Sequence, residues 1–285
     1  MPKFSVNGVE IYYEVHGQGF PLLWSHEFAG DYTSWEPQVN FFSRRYQVIT
    51  YSARGYLPSD VPHAPTDYSQ EQSVEDVRRL LEHLSIQQAY IGGLSMGGNV
   101  ALNFGLTHPA MARAIIVASA GSGSDDPEQF RQEGDRLAVR LLREGMAPVA
   151  NDYARGPSRL QFRRKDPHGW HKFHQGLAAH EALGSALTYR GVQMKRPPVY
   201  DLADRMKQLP VPTLVLIGDE DDACVNPAIF MKRVIPRCGL AVFPRSGHAI
   251  NLEEPARFNQ TVLDFLIEVE NGGWGEREAA TPKSR

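Results

Sequence analysis

The sequence predicts an α/β domain in which a mostly parallel central sheet is flanked by helices and interrupted by a helical insertion. Short apolar runs, such as residues 89–93 and 114–118, alternate with segments that have helical spacing. Residues 125–204 are polar, rich in Arg and His, and show no strand pattern. The alternation then resumes at residues 211–217. Strands that alternate with helices are joined by right-handed crossovers, which makes the strands parallel and places helices on both faces of the sheet.

The first part of the core, residues 1–124, begins with a predicted hairpin. Residues 3–7 and 10–16 predict two strands around Asn7-Gly8, a dipeptide that favours tight turns. Residues 70–84 predict a helix because their apolar side chains recur on one helical face. The other elements predicted here are strands at 21–25, 46–51, 89–93 and 114–118, a helix at 34–43 capped by Ser34, and a helix that starts near Ser95.

The second part of the core, residues 205–270, contains the last strands. The predicted elements are strands at 211–217 and 240–243 and helices at 227–234 and 254–269. Residues 271–285 predict a frayed or disordered tail. The insertion at 125–204 therefore divides one continuous sheet.

Composition excludes some classes of function. The 285 residues carry a formal net charge of -3, which gives no support to a nucleic-acid or anionic-membrane partner. No apolar run is long enough for a membrane span, and residues 1–7 lack the apolar stretch of a secretion signal. The two cysteines, Cys224 and Cys238, are expected to be reduced, packed thiols. We therefore expect a cytoplasmic protein that acts on a small molecule.

A nucleophile is predicted at the turn after the strand at 89–93. Residues 93–97 read Gly-Leu-Ser-Met-Gly and match G-x-S-x-G, with the end of a buried strand before them and a helix after them. The flanking positions must be small because larger side chains would strike the adjacent strand and helix. Ser95 is therefore the predicted nucleophile. The alternative is a glycine-rich strand-to-helix turn whose serine has no catalytic role.

A serine nucleophile needs a base and an acid that orients the base. His248 lies on the loop that follows the last strand, at the sheet edge predicted for Ser95. Residues 219–222 supply four carboxylates directly after a strand, and Asp221 is the predicted acid, with Asp222 and Asp219 as alternatives. The chain order Ser, Asp, His is that of α/β-hydrolases. The backbone N–H groups of Met96 and Phe28 are the predicted oxyanion hole.

These motifs resemble the α/β-hydrolase superfamily, in the group of esterases, lipases, haloperoxidase-like enzymes and carbon–carbon bond hydrolases. The resemblance covers nearly the whole chain outside residues 125–204. It implies the α/β-hydrolase fold, an acid three residues after Gly218, which selects Asp221, and a helical cap over the active site. It rests on residues 26–30 (His-Glu-Phe-Ala-Gly), 54–55 (Arg-Gly), 93–98, 218–221 and 246–248 (Ser-Gly-His).

The sequence departs from the family pattern at three positions, Glu27, Ser52 and Leu57. Glu27 stands where the family usually has glycine, beside the predicted oxyanion hole. A carboxylate that pointed inward would repel the developing negative charge. We therefore expect the side chain to turn away from Ser95, toward Arg54 or solvent, so that Glu27→Gln behaves like the parent. Relatives that are epoxide hydrolases or haloalkane dehalogenases carry aspartate at the position of Ser95, which argues against both reactions.

The predicted cap carries many basic side chains, and three interpretations of them stay open. They could bind a substrate carboxylate, His168, His171 and His174 could bind a metal, or the cap surface could simply be solvated. We predict that Glu27, Leu94 and Arg190 contact substrate and that no metal or cofactor is needed. The cap residues concerned are Arg163, Arg164, Lys165, His168, His171, His174, His180, Arg190, Lys195 and Arg196.

Three functions are compatible with this sequence. The leading prediction is hydrolysis of a small or medium carboxylic ester through an acyl-enzyme on Ser95. The second is hydrolysis of a carbon–carbon bond in a diketone-type acid, which would use the cap arginines. The third is a ligand receptor on the same fold that has no catalytic activity.

Overall fold

A computed structural model describes residues 2–276 of the chain. Eight strands form one sheet in the order β1-β2-β4-β3-β5-β6-β7-β8. The first two strands form an antiparallel hairpin, β2 pairs antiparallel with β4, and the other pairs are parallel. The predicted fold class is therefore confirmed. The strands are β1 (Lys3–Val6), β2 (Val9–His16), β3 (Phe20–Ser25), β4 (Tyr46–Tyr51), β5 (Ala89–Leu94), β6 (Ala112–Ala118), β7 (Thr213–Gly218) and β8 (Cys238–Phe243).

Helices cover both faces of this sheet and form the insertion. Short 3₁₀ turns lie at Tyr32–Trp35, Pro65–Asp67, Pro157–Arg159 and Val199–Leu202, and a π-helical turn lies at Tyr189–Gln193. The α-helices are α1 (Glu36–Phe42), α2 (Gln70–His83), α3 (Met96–Thr107), α4 (Pro127–Glu144), α5 (Met146–Tyr153), α6 (Leu160–Lys165), α7 (Pro167–Ala178), α8 (Ala182–Thr188), α9 (Ala203–Lys207), α10 (Asp222–Val234), α11 (Ile250–Glu253) and α12 (Pro255–Glu270).

The strand residues alternate between two cores, one on each face of the sheet. Along β3, Leu22 and Trp24 join one buried cluster, whereas Leu23 joins the other. This period of two follows from the pleat, which points successive side chains to opposite faces. Trp24 stacks on Trp35 with ring centroids 4.5 Å apart. On the neighbouring strand a Cβ at Gly92 would lie 2.2 Å from the Trp24 ring, so that position must be glycine.

The chain between β6 and β7 contains helices and turns and no strand. Helix α4 packs against α8, and α5 packs against α7, and their buried side chains belong to the same apolar cluster as Trp24 and Phe28. We call residues 125–204 the cap. Among the described residues, no helix is both long enough and apolar enough to cross a membrane.

Most element boundaries differ from the sequence predictions by one or two residues, and two helix starts show the physical reason. The predicted helix at 34–43 is preceded by a 3₁₀ turn whose N-cap is Asp31, and the Ser34 side chain completes the capping box. The helix predicted from residue 227 begins at Asp222. Within the segment predicted as a frayed or disordered tail, Trp274 packs on Phe265 and exchanges hydrogen bonds with Arg237. Residues 277–285 of the predicted tail lie outside the described residues.

Candidate active site

Ser95 lies at a sharp turn between β5 and α3. Its backbone has φ 56° and ψ −111°, a conformation that is strained for a residue with a side chain. A Cβ at Gly93 would lie 2.1 Å from the carbonyl oxygen of Gly97, and a Cβ at Gly97 would lie 2.0 Å from the carbonyl oxygen of Ser25. The glycines therefore allow α3 to begin directly against the end of β3.

Asp221 and His248 form a buried pair at the same edge of the sheet. Nδ1 of His248 lies 2.7 Å from Oδ2 of Asp221. The two residues follow β7 and β8, which are parallel neighbours, just as Ser95 follows β5. Within residues 2–276, no hydrogen bond joins the Ser95 hydroxyl to His248; in unliganded sites such contacts are often long or poorly aligned.

The other carboxylates of this loop have different surroundings. Asp219 is exposed and accepts a hydrogen bond from the Ser246 N–H at 3.2 Å. Asp222 is exposed at the start of α10. Asp221 is therefore the carboxylate of this run that reaches His248.

The histidine loop is held from two sides. The His248 N–H donates to the carbonyl oxygen of Ser158 in the cap at 2.9 Å. The Gly247 N–H donates to both carboxylate oxygens of Glu253, at 2.9 and 3.0 Å. Burial raises the pKa of Glu253, although these contacts and Lys165 oppose the rise. Neither Ser158 nor Glu253 is a sequence prediction, because their partners are backbone groups that no motif marks.

The loop after β3 fixes the peptide between Glu27 and Phe28. The Glu27 carbonyl oxygen accepts hydrogen bonds from the Gly30 N–H at 3.1 Å and from Nδ1 of His26 at 2.7 Å. Nε2 of His26 accepts from the Ala53 N–H at 2.9 Å, so the proton of the neutral imidazole is on Nδ1. Burial lowers the pKa of His26, which keeps it neutral. Since a trans peptide is planar, the Phe28 N–H points away from this anchored carbonyl.

The N–H groups of Phe28 and Met96 have no acceptor among residues 2–276. Met96 is the first residue of α3, where an N–H has no partner within the helix. The close approach of Gly97 to Ser25 brings this end of α3 next to the loop of residues 26–28. Two free donors at this place match the chemistry of an oxyanion hole.

The prediction that Glu27 turns toward a partner such as Arg54 or toward solvent is wrong in the residue it names, because its cationic partner is a different arginine. Glu27 is 2% exposed and forms a bidentate pair with Arg159 of the cap, with Nη1 donating to Oε1 at 3.0 Å and Nη2 donating to Oε2. Arg54 instead pairs with Asp76 at 2.7 Å. Burial alone would raise the pKa of Glu27, but the Arg159 guanidinium outweighs it and holds that pKa below its ordinary value. Arg159 was missed because it lies outside every motif of the sequence.

The other two predicted substrate contacts, Leu94 and Arg190, have different surroundings. Leu94 is buried at the end of β5 within the core. Arg190 is partly exposed on the cap and pairs with Asp135 at 2.8 Å. Because Arg190 is partly exposed and its charge is paired with Asp135, nothing in its contacts supports the predicted role as a substrate contact.

The cap histidines that were an open alternative for metal binding do not form a metal site among the described residues. Within residues 2–276, the group of three or more potential ligands whose atoms all lie within 4.8 Å of one another consists of Asp221, Cys224 and His248. Asp221 and His248 already bond to each other, and burial raises the pKa of the Cys224 thiol well above its ordinary value. A metal would have to break that bond and remove the thiol proton, so this group does not fit a resident metal. His168, His171 and His174 are not part of such a group.

A cleft of about 300 Å³ lies between cap helix α7 and the loop that follows Phe28. Ala29 and Gly30 line it on the side of that loop, and Phe162, Phe173 and Leu177 line it on the cap side; Ser95 and His248 are not among the lining residues. Its walls are mainly apolar, which suits the hydrocarbon part of a small ligand.

Comparison with known proteins agrees with this architecture. The family model described as "Alpha/beta hydrolase family" matches residues 15–261. The 3-oxoadipate enol-lactonase 1 of Acinetobacter baylyi is 28% identical over 252 residues, which are 87% of this chain and 89% of that protein.

Two solved structures are similar over almost the whole chain. An enol-lactonase from Burkholderia xenovorans LB400 has 25% identity and a TM-score of 0.83, with 94% of this chain and 100% of that chain covered. A thermophilic esterase from Thermogutta terrifontis has 28% identity and a TM-score of 0.83, with 94% and 97% covered. With the fold, these findings show that the chain is a hydrolase and belongs to the alpha/beta hydrolase family.

Proposed function

We propose that the protein hydrolyses small or medium carboxylic esters through an acyl-enzyme on Ser95. The backbone strain at Ser95 carries this proposal. A serine in this region of φ and ψ costs on the order of 1–3 kcal/mol and persists only where the surroundings enforce it. This turn places Ser95 after β5 at the sheet edge where the Asp221–His248 pair also lies. The similarity to an esterase and to lactone hydrolases supports an ester as the substrate class.

In the proposed mechanism, the Ser95 hydroxyl attacks the ester carbonyl and transfers its proton to Nε2 of His248. Asp221 keeps the proton of the resting imidazole on Nδ1, so that Nε2 is free to accept, and stabilises the imidazolium that forms. The N–H groups of Phe28 and Met96 bind the oxyanion. His248 then returns its proton to the leaving alcohol, and a water molecule releases the acid by the same steps in reverse order.

This mechanism is tested with p-nitrophenyl acetate and butyrate and with a fluorophosphonate that labels active serines. Ser95→Ala should abolish both turnover and labelling, with a loss on the order of a million-fold. Ser119→Ala is the matched control, because Ser119 is also buried with a positive φ at the end of β6. It should keep activity within a few fold. Esterase activity that survives in pure Ser95→Ala protein would refute the proposal.

The two alternatives predict different results in the same assay. A receptor would take the fluorophosphonate label but turn over no ester. A carbon–carbon hydrolase would need a cap cation free to bind a carboxylate. Arg159 is instead neutralised by Glu27, and Arg190 by Asp135, so no contact of these arginines favours that reaction.

A further inference from the structure

One short cap segment contacts three of the four loops and turns that carry a proposed catalytic group; the turn at Ser95 is the exception. This segment, residues 157–165, comprises the 3₁₀ turn Pro157–Arg159 and α6. Its contacts with the core include four hydrogen-bonded pairs. The His248 N–H donates to Ser158 O at 2.9 Å, and Gln161 Nε2 donates to Glu220 Oε2 at 2.7 Å. Lys165 Nζ donates to Ser246 Oγ at 3.0 Å, and Arg159 donates to Glu27. The cap is therefore fastened to the histidine loop, the acid loop and the loop of Phe28.

The contact between Arg159 and Glu27 differs from the others in its burial. Arg159 is 1% exposed, and its guanidinium lies over the rings of Phe173, at 4.9 Å, and Tyr153, at 5.5 Å. Nε of Arg159 is buried and has no partner within the described residues, and both Nη atoms donate to Glu27. A buried guanidinium paired in this way has one favoured orientation, because its planar fork matches the two carboxylate oxygens.

Stability does not account for such a pair. Replacing a buried ion pair by apolar residues of similar volume is often neutral or stabilising, by about 1–4 kcal/mol, whereas removing one partner is strongly destabilising. What the pair adds is a fixed geometry between two parts of the chain that are 132 residues apart. On the core side the pair fixes Glu27, the residue directly before Phe28.

We propose that Arg159 is a positioning residue for the oxyanion hole. Its pair with Glu27 fixes the loop from the side-chain end, while His26 and Gly30 fix the Glu27 carbonyl from the backbone end. Both ends of residue 27 are then held, which fixes the direction of the Phe28 N–H. Arg159 also neutralises Glu27, whose charge would otherwise oppose the oxyanion. This inference rests on the ester-hydrolase mechanism proposed above.

The test compares four variants with p-nitrophenyl butyrate as substrate. In Arg159→Met we expect kcat to fall about 10²–10³-fold, as for the loss of one oxyanion donor, and KM to change less than threefold. Arg159→Lys keeps the charge without the fork and should lie between this variant and the parent. Arg190→Met is the control, because Arg190 is also a cap arginine paired with an aspartate but is partly exposed. It should retain the parent kcat.

The double variant Glu27→Gln/Arg159→Met separates a positioning role from a merely structural one. It leaves no unpaired charge, so we expect its Tm to recover while kcat stays low. Recovery of kcat to within threefold of the parent, in the double variant or in Arg159→Met alone, overturns the inference. If Arg159→Met does not fold, the double variant decides. Activity in Ser95→Ala would instead overturn the ester-hydrolase mechanism, so the two failures are distinguishable.

Discussion

Nδ1 of His248 lies 2.7 Å from the carboxylate of Asp221, while Asp219 and Asp222 on the same loop are exposed. Replacing Asp221 by Asn should therefore cost far more than the same change at either neighbour. The expected loss in kcat is about 10⁴-fold, because the amide favours the wrong imidazole tautomer. Initial rates with p-nitrophenyl butyrate measure this, and the other two variants should stay within tenfold of the parent. A crippled Asp222→Asn would contradict the assignment.

The turn at Ser95 should not tolerate a methyl group on Gly97. Gly97→Ala would place a Cβ 2.0 Å from the Ser25 carbonyl oxygen, so α3 and β3 must move apart. Overpacking of this kind costs typically about 1–3 kcal/mol, and the shift would displace the Met96 N–H. Urea unfolding and kcat together should report both effects.

Gly176→Ala is the matched control for that substitution. Gly176 lies inside α7, is exposed, and has open space where its Cβ would be. Alanine is the better helix former, so this variant should gain about 0.5–1 kcal/mol of stability. A destabilised Gly176→Ala would show that the cap packs differently from the description above.

The unfolding free energies of Glu27→Gln and of the parent, compared over a pH series, should show what it costs to leave Arg159 buried without its charged partner. The folded protein holds the pKa of Glu27 below 4.5, so its contribution to stability is fully present above that value. This contribution is lost as the pH falls through the lower pKa that Glu27 has in the folded protein. We expect an unfolding free energy gap of up to about 3–5 kcal/mol at pH 7 that narrows in acid. A gap that stays constant down to pH 3 would contradict this account.

Both cysteines should resist alkylation in the folded protein. Burial raises the pKa of the Cys238 thiol to about 12 and that of Cys224 well above its ordinary value, so almost no thiolate is present at neutral pH. Iodoacetamide at pH 7.5 should therefore add no mass to the native chain and two carbamidomethyl groups after denaturation. Rapid modification of the native chain would show that these sites open readily.

The sequence predicts the parts of the site that belong to local motifs and misses those that depend on contacts across the fold. The turn at Ser95 and the pair of Asp221 with His248 follow from glycine spacing and from the position of loops after parallel strands. Arg159 could not be found in this way. It is one of many basic residues in a cap without a repeating pattern, and its partner lies 132 residues away.

Glu27 shows the opposite situation. The sequence marked it as unusual because a carboxylate stands where the family has glycine, and the electrostatic argument that it must be neutralised is consistent with its pairing. The predicted partner was wrong because Arg54, which is closer to Glu27 in the sequence than Arg159 is, already pairs with Asp76. Competition of this kind is settled by packing, which no local pattern encodes.

The two chain crossings that join the cap to the core are tied together. Nη2 of Arg196 donates to the Ser122 carbonyl oxygen at 2.8 Å, and the Val199 N–H donates to Oγ of Ser124 at 3.0 Å. A segment whose ends meet in this way can be exchanged as a cassette without disturbing the order of the strands. An exchanged cap must carry a cation at position 159, because the charge of Glu27 would otherwise be buried without a partner. Positions 27 and 159 must therefore be inherited, or engineered, as a unit.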